Sequence, residues 1–204
     1  MVIKSVSSSQ EEIMTWIMRL YCPQGFELDP TYSMGNFYKG GIPQPALRFD
    51  LEPQISGVTQ ADCRHLPILS ETVGSIMFDP PFVAGKGRDG KPGIIRTRFG
   101  SYKTMNNDLW PLYWEALSEF HRVLKPNGVL VFKCQDSVSS GNQFLSHVEI
   151  INVSYKLGFY PKDLFILVAK NRLMSPNMAT QYHARKFHCY FLVFLKQKSP
   201  VEYS

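Results

Sequence analysis

The chain has 204 residues and a formal net charge of +5, since 22 Lys and Arg residues outnumber 17 Asp and Glu residues. Apolar residues make up 44% of the sequence and charged residues 19%, which excludes an intrinsically disordered chain and allows one α/β domain with a sizeable core. The pI of about 9.0 suits a polyanionic partner such as nucleic acid.

The cysteine pattern indicates a reducing compartment, and the apolar runs are too short for a membrane span. No signal-peptide pattern starts the sequence, and no stretch approaches the ~20 apolar residues of a membrane span. We therefore expect a cytoplasmic protein without membrane association, formed by a single domain over residues 1–204 with a tail at 197–204. Reduced core thiols, rather than a zinc site or disulfides, are predicted because no CxxC pair occurs among Cys22, Cys63, Cys134 and Cys189.

The predicted elements begin with a helix, because serines at positions 7 to 9 precede Gln10-Glu11-Glu12 and apolar residues then recur at helical spacing up to Pro23. Short apolar runs and helical stretches alternate after this point. That pattern predicts a mostly parallel sheet with helices on both faces. The strand candidates are 25–28, 46–51, 73–78, 129–134, 164–169 and 187–196.

Two further helices are predicted between these strands. Apolar residues at three-to-four spacing indicate an amphipathic helix over 107–124, which Lys125-Pro126-Asn127-Gly128 stops. Another helix is predicted over 143–157, ending at Gly158, which adopts the left-handed conformation at little cost. Two stretches with little apolar periodicity, 83–103 and 171–186, are predicted to be irregular basic loops.

Ligands of an open parallel sheet bind beyond the carboxyl ends of the strands, where the strand order reverses. At the first strand end, Gly35 would let the backbone approach a ligand, and neighbouring amides could donate hydrogen bonds. Asp50 follows the next strand, 21 residues after Asp29, and could accept hydrogen bonds from both hydroxyls of a ribose. Asp62 could bind an adenine amino group while the Cys63 amide meets a ring nitrogen. On the residues alone, an ordinary turn and solvated strand-end carboxylates remain open alternatives.

The most specific feature is Asp79-Pro80-Pro81-Phe82, which follows the apolar strand 73–78. Two prolines make the turn rigid. The Asp79 carboxylate and the Pro80 carbonyl could hold the hydrogens of an exocyclic amine on a flipped-out base. The Phe82 ring could stack on that base, a contact worth ~1 to 3 kcal/mol. A strand end without catalytic role is the alternative interpretation.

Together these motifs resemble those of the class I S-adenosylmethionine-dependent methyltransferases, specifically the amino-methyltransferases of DNA adenine N6 and cytosine N4. The first motif of that family runs Asp-Pro-Phe-x-Gly-x-Gly-Thr. Asp29, Pro30 and Gly35 match it, while Ser33 replaces the first glycine and Asn36 the threonine. Further similarity covers Arg122-Val123-Leu124-Lys125-Pro126-Asn127-Gly128, a helix-to-strand turn, and 181–196, a basic segment leading into the last strand.

The resemblance implies an α/β, Rossmann-like fold with a mostly parallel seven-stranded sheet and helices on both faces. It implies S-adenosyl-L-methionine as the cofactor, no metal, and methylation of an exocyclic amino group on a nucleic-acid base. The acceptor that it favours most is adenine N6 in DNA. The implied catalytic residues are Asp79, Pro80, Pro81 and Phe82. The implied cofactor-binding residues are Asp29, Pro30, Thr31, Ser33, Gly35, Asp50, Asp62, Cys63 and Asp79.

The partner is expected to be nucleic acid, with DNA favoured over RNA; no oligomeric state is predicted. Because the chain has no room for a separate target-recognition domain, the basic loops are the expected contacts, although such loops are more often only solvated. The candidate contacts are Lys86, Arg88, Lys91, Arg96, Arg98, Arg185 and Lys186. Two alternatives stay open: an RNA base methyltransferase acting on guanine or adenine amino groups, and a non-catalytic nucleic-acid-binding subunit with a degenerate cofactor site.

Overall fold

The computed structural model describes residues 2–82, 109–139, 141–169 and 182–197. These residues form an eight-stranded sheet, a two-stranded hairpin, three α-helices and one short 3₁₀ helix. In chain order the elements are β1 (Val6–Ser7), α1 (Gln10–Tyr21), β2 (Leu28–Asp29), the 3₁₀ helix (Asn36–Tyr38), β3 (Leu47–Asp50), β4 (Thr59–Gln60), β5 (Val73–Phe78), α2 (Trp110–Val123), β6 (Leu124–Cys134), β7 (Ser137–Ser139), β8 (Asn142–Phe144), α3 (Ser146–Lys156), β9 (Phe159–Val168) and β10 (His188–Lys196).

The large sheet has the strand order β1-β9-β10-β6-β5-β2-β3-β4. Strand β10 is antiparallel to both neighbours and the other pairs are parallel, which confirms the mostly parallel sheet. It has eight strands rather than the expected seven, because β1 pairs with the edge of β9. The chain passes from β2 to β3 on one side and from β5 to β6 on the other. The strand order therefore reverses between β2 and β5, where a ligand crevice is expected.

Both faces of the sheet are covered, as predicted. Along β5, Ile76 and Phe78 pack in the apolar cluster that contains α2, whereas Met77 packs in the cluster that contains α1. This alternation is that of a strand buried on both faces. None of the described helices is long and apolar enough to cross a membrane. All four cysteines are buried and unpaired, as expected for core thiols.

Several predicted boundaries were wrong where tertiary pairing decides them. A strand was predicted at 25–28, whereas β2 covers Leu28–Asp29; Gly25 has a φ of +89° and is not in an extended conformation. The strand predicted at 164–169 begins at Phe159, because the ladder with β10 continues to that residue. The helix predicted from residue 143 begins at Ser146, because the preceding residues pair in the β7–β8 hairpin.

The turn between α2 and the centre of β6 has an unexpected form. Helix α2 ends at Val123, as the four residues that follow Leu124 predict. Leu124 then already pairs with Val73, while Val129 pairs with Ser75. The four residues between them therefore bulge out of the ladder, and Asn127 adopts a φ of +64°.

Candidate active site

The predicted catalytic loop leaves the sheet at its centre. Its supporting strand ends at Phe78, whose buried ring packs edge-on against Phe120 and Phe132, with centroids 4.7 and 4.8 Å away. Pro80 and Pro81 are buried next. The Tyr113 hydroxyl of α2 donates a hydrogen bond to the Pro81 carbonyl. The loop is thus held against α2 at the position where the strand order reverses.

Asp79 lies between the loop that follows β2 and strand β6. Its backbone N–H donates to the Thr31 hydroxyl at 3.1 Å, and its Oδ1 lies 3.5 Å from Lys133 Nζ. At that separation the second contact is an ion pair rather than a well-formed hydrogen bond, and Oδ1 has no hydrogen-bond partner within the described residues. Burial raises the pKa of Asp79, and the Lys133 ammonium opposes that rise.

Asp29 closes the other side of the crevice but is turned inward. It is 2% exposed; one oxygen accepts from the Thr31 N–H at 2.8 Å and the other from the Tyr38 hydroxyl at 2.8 Å. Burial raises the pKa of Asp29 to about 7, with a smaller upward contribution from the charge of Asp79. Asp29 therefore shapes the loop that follows β2, a role that its placement in the cofactor motif did not specify.

Between β2 and the 3₁₀ helix, two residues lie in the left-handed region. Ser33 has a φ of +51° and its N–H donates to Asp50 Oδ2 at 2.8 Å; this is the position at which the similar family has its first glycine. Gly35 has a φ of +66°, and a Cβ there would lie 2.5 Å from the Tyr32 hydroxyl. The space beside Gly35, which the sequence suggested for a ligand, is thus filled by the Tyr32 ring.

The predicted adenosine-binding residues meet on the α2 face of the loop. Asp50 is buried, its Oδ1 accepts from the Glu52 N–H at 2.9 Å, and burial raises its pKa. A cleft of about 50 Å³ lies here. The cleft is lined by Pro30, Thr31, Asp50, Leu51, Asp62, Cys63, Arg64, Phe78, Pro80, Pro81 and Leu112.

The acid predicted to bind adenine is engaged by a neighbouring cation. Arg64 donates to both oxygens of Asp62, at 2.6 to 3.0 Å, and to Glu115 of α2 at 3.0 Å. The Arg64 hydrogen bond lowers the pKa of Asp62. Asp62 thus stays ionised in the cleft wall, and because its side chain is 27% exposed, a ligand that reaches it would share the carboxylate with Arg64.

A second cavity lies beside the first and shares Thr31 with it. Its volume is about 150 Å³, and Asp79 belongs to its wall, whereas the two prolines line the first cavity. The two cavities therefore flank the catalytic loop. The second is lined by Gln10, Thr31, Tyr32, Ser33, Asn36, Phe37, Asp79 and Lys133.

Sequence reasoning missed the cation of this second cavity. Lys133 Nζ donates to Gln10 Oε1 of α1 at 3.2 Å and lies 4.6 Å from the centroid of the Phe37 ring. A lysine within the apolar run 129–134 was a visible signal, since a charged residue near the end of a buried strand needs a partner. The identity of the partner was not readable from the strand itself.

The candidate nucleic-acid contacts are placed only in part. Arg185 and Lys186 precede β10, and Lys186 lines a cleft of about 300 Å³ together with Gln10, Gln135 and His188. This cleft adjoins the second cavity, because Gln10 lines both. Lys86, Arg88, Lys91, Arg96 and Arg98 lie outside the described residues. In the described part of the chain, no group of three or more His, Cys, Asp or Glu side chains could hold a metal ion.

No protein-family model matches the sequence, and no curated protein matches it. Among solved structures, an S-adenosylmethionine-dependent methyltransferase of Thermotoga maritima is 14% identical with a TM-score of 0.51, over 93% of this chain and 88% of that one. The [4+2]-cyclase SpnF is 12% identical with a TM-score of 0.55, over 92% and 81%. The chain therefore has the Rossmann-like fold of class I methyltransferases, which also serves other chemistry.

A DNA modification methylase, provisionally so assigned, from Thermus thermophilus was solved with S-adenosyl-L-methionine. It is 20% identical with a TM-score of 0.47, over 71% of this chain. The present chain spans only 56% of the length of that protein.

Proposed function

We propose that the chain is an S-adenosyl-L-methionine-dependent methyltransferase acting on an exocyclic amino group of a nucleic-acid base, with adenine N6 in DNA as the expected acceptor. The observation that carries this proposal is the position of Asp79-Pro80-Pro81-Phe82, at the reversal of strand order and hydrogen-bonded to Thr31 of the loop after β2. Ligand crevices of doubly wound sheets form at this position.

The polar groups around the two cavities fit the proposed cofactor. Each Asp50 oxygen accepts one backbone N–H and keeps a lone pair that a ribose hydroxyl could use. Asp62, through a lone pair that Arg64 leaves free, and the Cys63 amide would meet the adenine edge. The cofactor would supply an electrophilic methyl group on its sulfonium.

The catalytic loop would orient the acceptor amine. The Asp79 carboxylate and the Pro80 carbonyl accept its two N–H groups, which leaves the nitrogen lone pair free for in-line attack on the methyl group. The proton released afterwards goes to Asp79 or to solvent. The half-buried Phe82 ring would stack on the base and offset part of the cost of flipping it.

A nucleic-acid acceptor is favoured by charge and by location. The chain carries a net charge of +5, and Lys186 lines a cleft that adjoins the cavity of Asp79. We expect Arg185 and Lys186 to contact phosphates beside the acceptor base. The same assignment is proposed for Lys86, Arg88, Lys91, Arg96 and Arg98.

The test is transfer of labelled methyl groups to DNA and RNA in parallel, with Asp79→Asn and Asp79→Ala as variants. Asp79→Ala should lower the transfer rate by about 100-fold or more, and Asp79→Asn, which keeps one acceptor oxygen, should lower it less, while calorimetry shows cofactor affinity within a few-fold of the wild type for both. Asp163→Asn is a matched control, because this acid on β9 accepts a hydrogen bond from Tyr21 away from the loop. Label in DNA that digests to N6-methyladenine, and that disappears with Asp79, is the expected result.

Two other outcomes would replace this proposal. Label in RNA alone would indicate an RNA base methyltransferase acting on guanine or adenine amino groups. Absence of cofactor binding, with nucleic-acid binding retained, would indicate a non-catalytic binding subunit. The motivation for that second alternative is the substitution of Ser33 and Asn36 in the first motif.

A further inference from the structure

A partly buried lysine, Lys133, lies beside the two side chains of the catalytic loop that would touch the base, Asp79 and Phe82. We propose that Lys133 is a positioning residue, whose ammonium keeps Asp79 as a hydrogen-bond acceptor and holds the Phe82 ring beside it. This inference deepens the proposed function and rests on it only for the identity of the acceptor.

The surroundings of Lys133 Nζ are unusual for a surface cation. The side chain is 12% exposed, and its ion-pair partner in the described part of the chain is Asp79, at 3.5 Å. Three aromatic rings surround the ammonium, with centroids at 4.6, 5.5 and 5.6 Å: Phe37, Phe82 and Phe191. An ammonium is attracted to aromatic faces at such distances, so the rings hold it beside Asp79 at the wall of the second cavity.

Strand register brings these groups together. Phe78 pairs with Phe132 across β5 and β6, so Asp79 and Lys133 each follow by one residue on neighbouring strands. On the other side, Phe191 of β10 pairs with Lys133. The Phe37 ring of the 3₁₀ helix meets Phe191 edge-on at 6.2 Å. Lys133 therefore contacts the catalytic loop from the rigid centre of the sheet.

The charge of Asp79 decides whether its side chain accepts a hydrogen bond from the substrate amine or donates one to it. A carboxylate accepts from the amine, whereas a carboxylic acid would donate to its lone pair and block attack on the methyl group. Burial alone raises the pKa of Asp79, and Lys133 opposes the rise. Among the described residues, three other titratable groups interact electrostatically with Asp79 or Lys133, but none of them is a cation that could take over the role of the lysine. They are Asp29 of β2, Tyr38 of the 3₁₀ helix and Cys189 of β10.

A titration of Asp79 tests the inference without any need for activity. Carboxyl-¹³C aspartate NMR would follow Asp79, assigned by its loss in Asp79→Asn, in the wild type and in Lys133→Met. We expect the midpoint to rise by about 1 to 3 pH units in Lys133→Met, and Lys133→Arg to return it towards the wild type. Lys196→Met is the matched control: this buried lysine of β10 bonds the Leu124 carbonyl at 2.8 Å and Glu71 at 3.0 Å.

The transfer assay gives a second and separate readout. With saturating cofactor, the acid limb of kcat against pH should move upward in Lys133→Met by the same interval, and not in Lys196→Met. An unchanged Asp79 midpoint in folded Lys133→Met overturns the inference. If that variant does not fold, Lys133→Gln decides in the same way. Absence of transfer by the wild type overturns the proposed function and leaves the titration result standing.

Discussion

The Asp79 N–H donates to the Thr31 hydroxyl at 3.1 Å, so the loop after β5 is tied directly to the loop after β2. The same hydroxyl lies 3.4 Å from Asp29 Oδ1, to which it donates. A single side chain thus connects the two strand ends that border the crevice. The Thr31 hydroxyl therefore links the position of Asp29 to that of Asp79 across the crevice.

Replacement of that hydroxyl should loosen the catalytic loop. Thr31→Val keeps the shape but leaves the Asp79 N–H without its acceptor, which costs about 1 to 3 kcal/mol in the free energy of unfolding. Chemical denaturation measures this cost, and the methyl-transfer rate should fall more than cofactor affinity. Thr31→Ser restores the hydroxyl and should behave as the wild type. Equal stability of the Val and Ser variants would contradict the prediction.

The buried Asp29 should make folding stability depend on pH. Its pKa is about 7 in the folded protein and about 4 in an unfolded chain, so the folded state holds the proton more tightly between these values. The free energy of unfolding should therefore fall as pH rises from about 4 to 7, by up to about 1.4 kcal/mol per unit, and level off above.

Asp29→Asn isolates this contribution, because it has no proton to lose and can still bond Thr31 and Tyr38. Denaturation of both proteins between pH 4.5 and 8 should show a shallower slope for the variant. Parallel slopes would rule the assignment out. Asp79→Asn should also lower the pKa of Asp29, since the charge of Asp79 contributes to raising it.

Substitution of two glycines with positive φ should distinguish the stability cost of backbone strain from the cost of a side-chain clash. Gly41 has a φ of +88° and nothing within 4 Å of a Cβ, so Gly41→Ala should cost only the left-handed strain, about 1 to 2 kcal/mol. Gly35→Ala has similar strain, and its methyl group would also meet the Tyr32 ring. We expect its cost to exceed that of Gly41→Ala by about 1 to 3 kcal/mol, as measured by urea unfolding. Equal costs would contradict this prediction and would show that the Tyr32 ring moves aside without a measurable cost.

Asp62 and Glu115 both bind Arg64, and only Asp62 lines the first cavity. Asp62→Ala should raise the cofactor dissociation constant about tenfold, which is ~1.4 kcal/mol, if it binds the adenine amino group. Glu115→Gln should leave the constant unchanged. Because the three side chains are 27 to 52% exposed, either variant should cost less than about 1 kcal/mol of stability. Calorimetric titration compares them, and equal affinities would remove Asp62 from the binding site.

Local chemistry made the central strand and the turn that follows it readable from the sequence. Strand β5 spans Val73–Phe78 as predicted, since an apolar run followed by two prolines leaves few other structures. The acidic residues that end β2 and β3, Asp29 and Asp50, lie at strand ends as predicted. Helix α1 ends near Pro23 and α3 near Gly158, whose φ is +92°, because breakers act through their own backbone.

The partners of the residues at these strand ends could not be read from the sequence, because they depend on the tertiary structure. Lys133 meets Asp79, 54 positions away in the sequence, because β6 pairs with β5 in one particular register. Likewise Tyr32 fills the space beside Gly35, and Arg64 engages Asp62. A sequence pattern specifies which face of a strand a side chain occupies, whereas its partners depend on strand order and on packing between elements that are distant in the chain. The sequence by itself thus determined which groups stand at the strand ends, and only the tertiary structure decided their partners and hence their charge.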